Sequence, residues 1–189
     1  MDRKDAILKS VLKLVNREGF YHLNMKKIAA EAAVAAGTIY IYFKGKEDLI
    51  NALYKMIVTD FNTHVMAGYE EGRAFKENFF GMLGNALDFY LEDPDCFSFI
   101  EQYTYAPFIF KETQEENFII LQPIYKIMKE AKKQKLVKNL PDVLLVALIY
   151  GPVVMMMKLY LAHKTDLDRK AAKQKLLQAC WENIALTES

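Results

Sequence analysis

Residues 25–49 of the chain read MKKIAAEAAVAAGTIYIYFKGKEDL, and this stretch decides how the fold is interpreted. Asn24 in front of it is a good helix N-cap. Two short helices are predicted, from Met25 to about Ala33 and from about Ala36 to Phe43. Small residues at the turn would let the two helices cross closely, which is the layout of a helix-turn-helix. A plain three-helix subdomain with an alanine-rich core fits the same spacing equally well.

The surface of the second of these helices favours a helix-turn-helix over plain packing. Thr38, Tyr40 and Tyr42 are polar-tipped residues on a helix too short to stabilise itself. Lys44 and Lys46 follow directly. Hydroxyl groups and lysines anchor phosphates, and they fix the register of a protein on DNA without reading bases. The charge distribution agrees, because the first fifty residues hold nine Lys/Arg against six Asp/Glu, whereas the net charge of the whole chain is +1.

Helical periodicity continues through the rest of the chain, and no run alternates apolar and polar residues as a half-buried strand would. We therefore predict an all-α fold of about nine helices. A kink or break is expected at Pro123 and a bend at Gly151-Pro152. Asp166 or Asp168 is expected to cap the last helix. The predicted ranges are 3–18, 25–33, 36–43, 46–67, 75–91, 96–105, 111–134, 141–163 and 168–186.

Several classes of protein are disfavoured. Cys96 and Cys180 form no metal-binding pattern and the three histidines are isolated, so we expect no metal site, no cofactor and reduced thiols in the cytoplasm. The apolar run Val143–Met157 falls short of the roughly 20 residues that span a bilayer, so no membrane partner is expected. An enzyme is disfavoured because no nucleophile with a base, carboxylate pair or Gly-rich phosphate loop is found.

The opening stretch resembles the signature of the TetR family of transcription regulators. The resemblance implies a DNA-binding domain over residues 1–46, with three helices, and a ligand-binding and dimerisation domain over residues 47–189. It also implies a sequence-specific regulator, a repressor that a small apolar or amphipathic ligand releases from DNA. The matching residues are Ile28-Ala29, Glu31-Ala32, Val34, Gly37-Thr38-Ile39-Tyr40, Tyr42-Phe43 and Lys46-Glu47-Asp48-Leu49.

Carried over by position, the family pattern implies that Tyr40, Tyr42 and Lys46 contact the DNA backbone. Lys27 is a further candidate for such a contact. Two positions depart from the pattern, since Ala33 stands where the family usually has glycine and Ala35 where a serine or threonine usually caps the recognition helix. The front of that helix lacks Arg, Asn and Gln, so base recognition would rest on methyl contacts and DNA shape. The expected base-reading residues are Ala36, Gly37, Thr38 and Ile41.

The second half of the chain is rich in aromatic residues, and the resemblance implies an effector pocket there. We expect the ligand between the predicted fifth and eighth helices, lined by aromatic side chains and a few polar groups. Core packing is the alternative role for each of these side chains. The residues predicted to bind the ligand are Phe89, Phe99, Tyr103, Phe118, Tyr125 and Met155.

The last two predicted helices are expected to form a homodimer. Apolar residues of the terminal helix recur on a stripe that one neighbouring helix could not fully cover, so a two-fold axis would pack it against its own copy. Such a dimer suits a pseudo-palindromic operator in double-stranded DNA. The alternatives are burial of the stripe within the chain and a helical ligand-binding or protein-interaction module without DNA activity. The predicted interface residues are Leu176, Leu177, Trp181 and Ile184.

Overall fold

The structure is a computed structural model that describes residues 3–164 and 169–186, with only the backbone described for residues 169 and 170. Within this part of the chain the fold is all-α, as predicted. Its ten α-helices are α1 (Arg3–Glu18), α2 (Met25–Glu31), α3 (Ala36–Tyr42), α4 (Lys46–Met66), α5 (Phe75–Glu92), α6 (Pro94–Tyr103), α7 (Lys111–Ile120), α8 (Gln122–Lys133), α9 (Asp142–Leu161) and α10 (Arg169–Ile184). A short 3-10 turn, Phe20–His22, follows α1.

The structure has one α-helix more than the sequence predicts because the predicted helix 111–134 is broken. Pro123 cannot donate a backbone hydrogen bond and occupies the first turn of α8, so the break falls where it was expected. Pro152, in contrast, lies inside α9, which continues past it. The predicted caps Asp166 and Asp168 lie outside the described residues.

The apolar run Val143–Met157 lies inside α9, whose ends are within two residues of the predicted range 141–163. The helix extends on both sides of Val143–Met157 and is 20 residues long, so it is long and apolar enough to cross a membrane. Only 17% of the apolar part of this helix is buried inside the chain. A largely uncovered apolar helix requires a partner surface, which is either a lipid or another protein.

The chain divides into two compact units. Unit 1 consists of Met1–Asp60 with Asp93–Ile120, and unit 2 of Phe61–Glu92 with Leu121–Ser189. The helix pair α6 and α7 therefore belongs with the N-terminal helices. This division describes packing, and the functional boundary after Lys46 stays a prediction.

Unit 1 has a continuous apolar core built on α1. Ile7, Val11 and Val15 recur every four residues on one face of α1, and all three are fully buried. This face packs against α2 and α6. Each such side chain stabilises the fold by about 1.5–3 kcal/mol through burial, so the core gives the N-terminal helices a rigid base.

Unit 2 contains α5, α8, α9 and α10 together with the end of α4, and it shows how the apolar stripe of the last helix packs within the chain. The terminal stripe is not left uncovered: Leu176, Leu177 and Ile184 are buried within the chain. The ring of Trp181 lies 5.6 Å from that of Phe79, on α5. The sequence did not reveal that two helices, α5 and α9, cover α10 together. Three of the four predicted interface residues are thus buried within the chain and Trp181 is half-buried, and their part in a dimer interface stays a prediction.

Candidate DNA-binding surface and ligand-binding residues

The helix-turn-helix in unit 1 is held by three buried side chains. Ile28 of α2 and Ile39 of α3 are fully buried, and Phe43 closes the end of α3. Asn24 is the N-cap of α2, as predicted, and its side chain accepts a hydrogen bond from the Lys27 backbone N–H at 3.0 Å. Ala35 offers α3 no side-chain cap, which agrees with the departure seen in the sequence.

The exposed face of α3 carries most of the predicted DNA contacts. Ile39 is its buried residue, and the exposed fractions of Tyr40, Ile41 and Tyr42 are 58%, 77% and 40%. The other predicted base-reading residues lie on the same helix, with Ala36 and Gly37 exposed and Thr38 half-buried. The helix therefore presents hydroxyl and methyl groups to solvent, in the pattern that phosphate contact and thymine-methyl contact require.

The two predicted backbone-contacting lysines differ in their surroundings. The ammonium of Lys27 lies 2.5 Å from a carboxylate oxygen of Glu18. Hydrogen bonds from Lys27 and then from Arg17 hold the pKa of Glu18 below its ordinary value. Lys46 has no carboxylate partner among the described residues, and its Nζ lies 4.5 Å from the centre of the Phe20 ring. A phosphate contact by Lys46 would therefore not require the side chain to leave an ion pair first, whereas one by Lys27 would.

The six predicted ligand-binding residues divide between the two units. Phe99 and Tyr103 pack in the core of unit 1, with ring centres 5.3 Å apart. Phe118 is 54% exposed and lines an open surface groove of about 440 Å³ on α7. The other three, Phe89, Tyr125 and Met155, belong to unit 2, where Phe89 is buried, Tyr125 half-buried and Met155 exposed. Their role in binding stays a prediction.

One of them, Phe89, belongs to an aromatic cluster that was not predicted from the sequence. The cluster consists of Phe61, His64, Phe89, Tyr90 and Tyr150, from α4, α5 and α9. Its rings lie 5.1–6.4 Å apart. The hydroxyl of Tyr150 donates to that of Tyr90 at 3.1 Å, which places a polar pair at one side of an apolar group. This cluster involves the helices between which the ligand was predicted, α5 and α9.

Three further buried residues of unit 1 were not predicted from the sequence. Asn51 and Asn117 are each 4% exposed. Asn51 lies among apolar residues of α4, and an asparagine in such a run is a signal that could have identified it, whereas Asn117 lies in the polar sequence of α7, which gives no such signal. Phe108, in the loop between α6 and α7, stacks on Phe20 with ring centres 3.6 Å apart. No spacing pattern reveals a contact between residues so distant in sequence.

Two family models match the chain. Residues 7–53 match the model described as "Bacterial regulatory proteins, tetR family", and residues 74–185 match "Tetracyclin repressor-like, C-terminal domain". Among curated proteins, the chain is 35% identical over 106 residues to an HTH-type transcriptional regulator from Haemophilus influenzae. That match spans 56% of this chain and 57% of the relative, so just over half of the relative's length is covered.

Solved structures share the fold over nearly the whole chain. A TetR family transcription regulator from Marinobacter aquaeolei is 20% identical, with a TM-score of 0.91 and coverage of 98% of this chain and 96% of that one. FadR from Bacillus subtilis, in complex with stearoyl-CoA, is 20% identical with a TM-score of 0.75 and coverage of 95% and 98%. At this level of identity the likeness shows the fold alone.

Proposed function

This chain belongs to the TetR family of transcription regulators, and on that premise we propose that it binds operator DNA and represses the adjacent genes until a small ligand releases it. One observation carries the DNA-binding part: α3 is seven residues long, buries Ile39 and exposes a continuous surface from Tyr40 to Tyr42. A helix this short gains little stability from its own hydrogen bonds. An exposed aromatic and aliphatic surface on it therefore suits a partner, and the DNA major groove accepts one α-helix.

The roles of the residues follow from their chemistry. The hydroxyls of Tyr40 and Tyr42 and the ammonium of Lys46 would donate to phosphate oxygens, which positions the protein on DNA. Ile41 is more exposed than Tyr40 and Tyr42 on the same helix, and it would contact a thymine methyl group. Such contacts discriminate weakly between bases, so DNA shape would add to the specificity.

The effector site in this proposal is the aromatic cluster of unit 2. Two phenylalanine rings, the His64 imidazole and the hydroxyl-paired rings of Tyr90 and Tyr150 suit a mainly apolar molecule that carries one hydrogen-bonding group. The stearoyl-CoA complex of FadR makes long-chain acyl compounds the first probes. By linkage, a ligand that weakens DNA binding must itself bind more weakly in the presence of operator DNA, by the same factor.

We also propose that the chain acts as a homodimer through α9. The exposed stripe of this helix is formed by Leu144, Ala147, Gly151, Met155 and Leu159, at intervals of three and four residues. Two small residues near its centre would let a second copy of α9 approach closely. In this proposal α9 supplies the centre of the interface, and a second copy of the chain rather than lipid would cover the helix.

We also propose that the protein acts as a regulator rather than as an enzyme and that it is located in the cytoplasm. Both cysteines are free and buried. Burial raises the pKa of Cys180 to about 11, so this thiol stays protonated at neutral pH and is a poor nucleophile. Buried reduced thiols of this kind suit the cytoplasm, where regulators meet DNA.

The experiment that tests the proposal measures DNA affinity of the dimeric full chain against salt concentration. The logarithm of the affinity falls linearly with the logarithm of salt concentration, by about 0.9 per phosphate contact. In the dimer Lys46→Ala removes one phosphate contact from each protomer, so it should reduce this slope by about 1.8 for every sequence tested. Lys9→Ala, which changes an exposed lysine on α1, should leave the slope unchanged. An unchanged slope for Lys46→Ala would remove Lys46 from the interface.

A further inference from the structure

We propose that Phe108 and Phe20, which are both buried, are positioning residues that hold Lys46 in place for its phosphate contact. This inference rests on the DNA binding proposed above and adds two residues that no DNA could touch directly. The exposed fractions of Phe20 and Phe108 are 5% and 9%. All of the groups involved belong to unit 1.

The first step is the contact between Lys46 and Phe20. The ammonium lies 4.5 Å from the centre of the Phe20 ring and 6.0 Å from that of Tyr21. A cation over an aromatic ring is attracted by the electron-rich face of the ring. Lys46 is half-buried. Because lysine loses rotamer entropy when it makes a contact, a side chain already held over a ring has less entropy to lose on binding a phosphate.

The second step is the stack that supports Phe20. Its ring and that of Phe108 are 3.6 Å apart and inclined by only 15°. Tyr103 lies 5.8 Å from Phe108 on another side. The position of the Phe20 ring therefore depends on Phe108, which lies in the loop between α6 and α7, far from the helix-turn-helix in sequence.

The third step is the set of hydrogen bonds that attaches this loop to α4, the helix of Lys46. Asn51 lies on α4, five residues after Lys46. Its side-chain amide donates to the carbonyl oxygen of Phe108 at 2.9 Å, and its side-chain oxygen accepts from the backbone N–H of Phe110 at 2.8 Å. It also donates to the carbonyl oxygen of Glu47 at 2.8 Å. The first two turns of α4 thus hold both the lysine and the loop whose ring supports it.

The three contacts connect in a ring. Lys46 lies over Phe20, Phe20 stacks on Phe108, and the backbone of Phe108 is bonded to Asn51, which lies on the same helix as Lys46. Each group is fixed by a neighbour, so the direction of the lysine is set by the packing of the loop. Preorganisation of this kind raises affinity by lowering the entropy lost on binding. Loss of the Phe108 ring should therefore weaken DNA binding by acting on Lys46.

The test is a double-mutant cycle in DNA binding with wild type, Phe108→Leu, Lys46→Ala and the double variant. Removal of one phosphate contact from each protomer of the dimer lowers affinity on the order of a hundredfold at 0.1 M salt. We expect Phe108→Leu to lower affinity by up to this factor, and to lower it no further in the Lys46→Ala background. Phe108→Tyr keeps the ring and should restore wild-type affinity.

The control separates positioning from lost stability. Phe79→Leu changes a phenylalanine of similar burial in unit 2 and should leave DNA affinity unchanged. All measurements are made on full-length protein well below the melting temperature of each variant. Equal losses for Phe108→Leu in both backgrounds, or no loss in either, would overturn the positioning role while leaving the DNA-binding proposal intact. Absence of salt-dependent DNA binding by the wild type would overturn both.

Discussion

The backbone N–H of Val34 donates to the carbonyl oxygen of Ala29 at 3.0 Å, so α2 ends in a Schellman motif. A second bond of the motif runs from the N–H of Ala33 to the carbonyl oxygen of Ala30 at 3.2 Å. The motif requires a left-handed residue, and Ala33 occupies that position with φ of 52°. The alanine that replaces the family's usual glycine therefore keeps the turn at a cost in backbone strain.

Ala33→Gly should stabilise the protein. A left-handed conformation costs an L-residue roughly 1–2 kcal/mol, and the greater freedom of glycine in the unfolded chain offsets roughly 0.5–1 kcal/mol of the gain. We expect the free energy of unfolding to rise by about 0.5–1 kcal/mol. Ala30→Gly, inside α2, is the matched control and should lower it by about the same amount. Denaturant unfolding checks both, and destabilisation by Ala33→Gly would contradict the argument.

The backbones of Gly68 and Gly81 meet in unit 2. A Cβ atom on Gly81 would lie 2.5 Å from the carbonyl oxygen of Gly68, so any side chain there forces the backbones apart. Gly81→Ala should lower the free energy of unfolding by about 1–3 kcal/mol. A Cβ atom on Gly84, on the same helix, would meet side chains rather than backbone, the flexible end of Lys173 at 3.4 Å and Leu177 at 3.9 Å. Gly84→Ala should therefore be neutral or stabilising by up to about 1 kcal/mol. Similar melting temperatures for the two variants would contradict this account.

Three buried asparagines offer a comparison of hydrogen-bonded and unpaired amides. Asn51 and Asn78 each make three side-chain hydrogen bonds, whereas neither polar side-chain atom of Asn117 has a partner among the described residues. An unpaired buried polar group costs about 1–3 kcal/mol. Asn117→Leu should therefore raise the free energy of unfolding by about 1 kcal/mol. Asn51→Leu leaves two backbone groups unpaired and should lower it by about 2 kcal/mol or more. Thermal melts compare the two, and destabilisation by Asn117→Leu would show that its amide is paired.

Much of the fold could be predicted because local signals set the ends of helices. Gly19, with φ of 79°, ends the N-terminal helix where it was expected, and Asn24 begins the next. The partners of each apolar face could not be predicted in this way. Trp181 packs on α5, and Phe108 stacks on a ring in the turn after α1. Periodicity identifies which face is buried, but it contains no information about the element that covers it.

The exposed stripe of α9 predicts how the oligomer can be disrupted. Gly151 lies in open space, with no atom within 4 Å of an added Cβ. Gly151→Glu should therefore be tolerated by the folded chain and should place a charge at the centre of the interface between two copies. We expect a dimer for the wild type and a monomer for Gly151→Glu in sedimentation at micromolar concentration. Gln114 is an exposed residue on α7, and the control substitution Gln114→Glu should leave the dimer intact. A monomeric wild type would contradict the assembly.

The central claim is that two copies of α3 read a two-fold symmetric operator. Selection of bound sequences from random double-stranded DNA by the purified full chain, followed by footprinting, tests it most directly. The account predicts a pseudo-palindrome whose half-sites are centred about 10 base pairs, or a multiple of that, apart, because one helical turn separates equivalent major-groove faces. Enrichment of no sequence, or of a single asymmetric half-site, would contradict it.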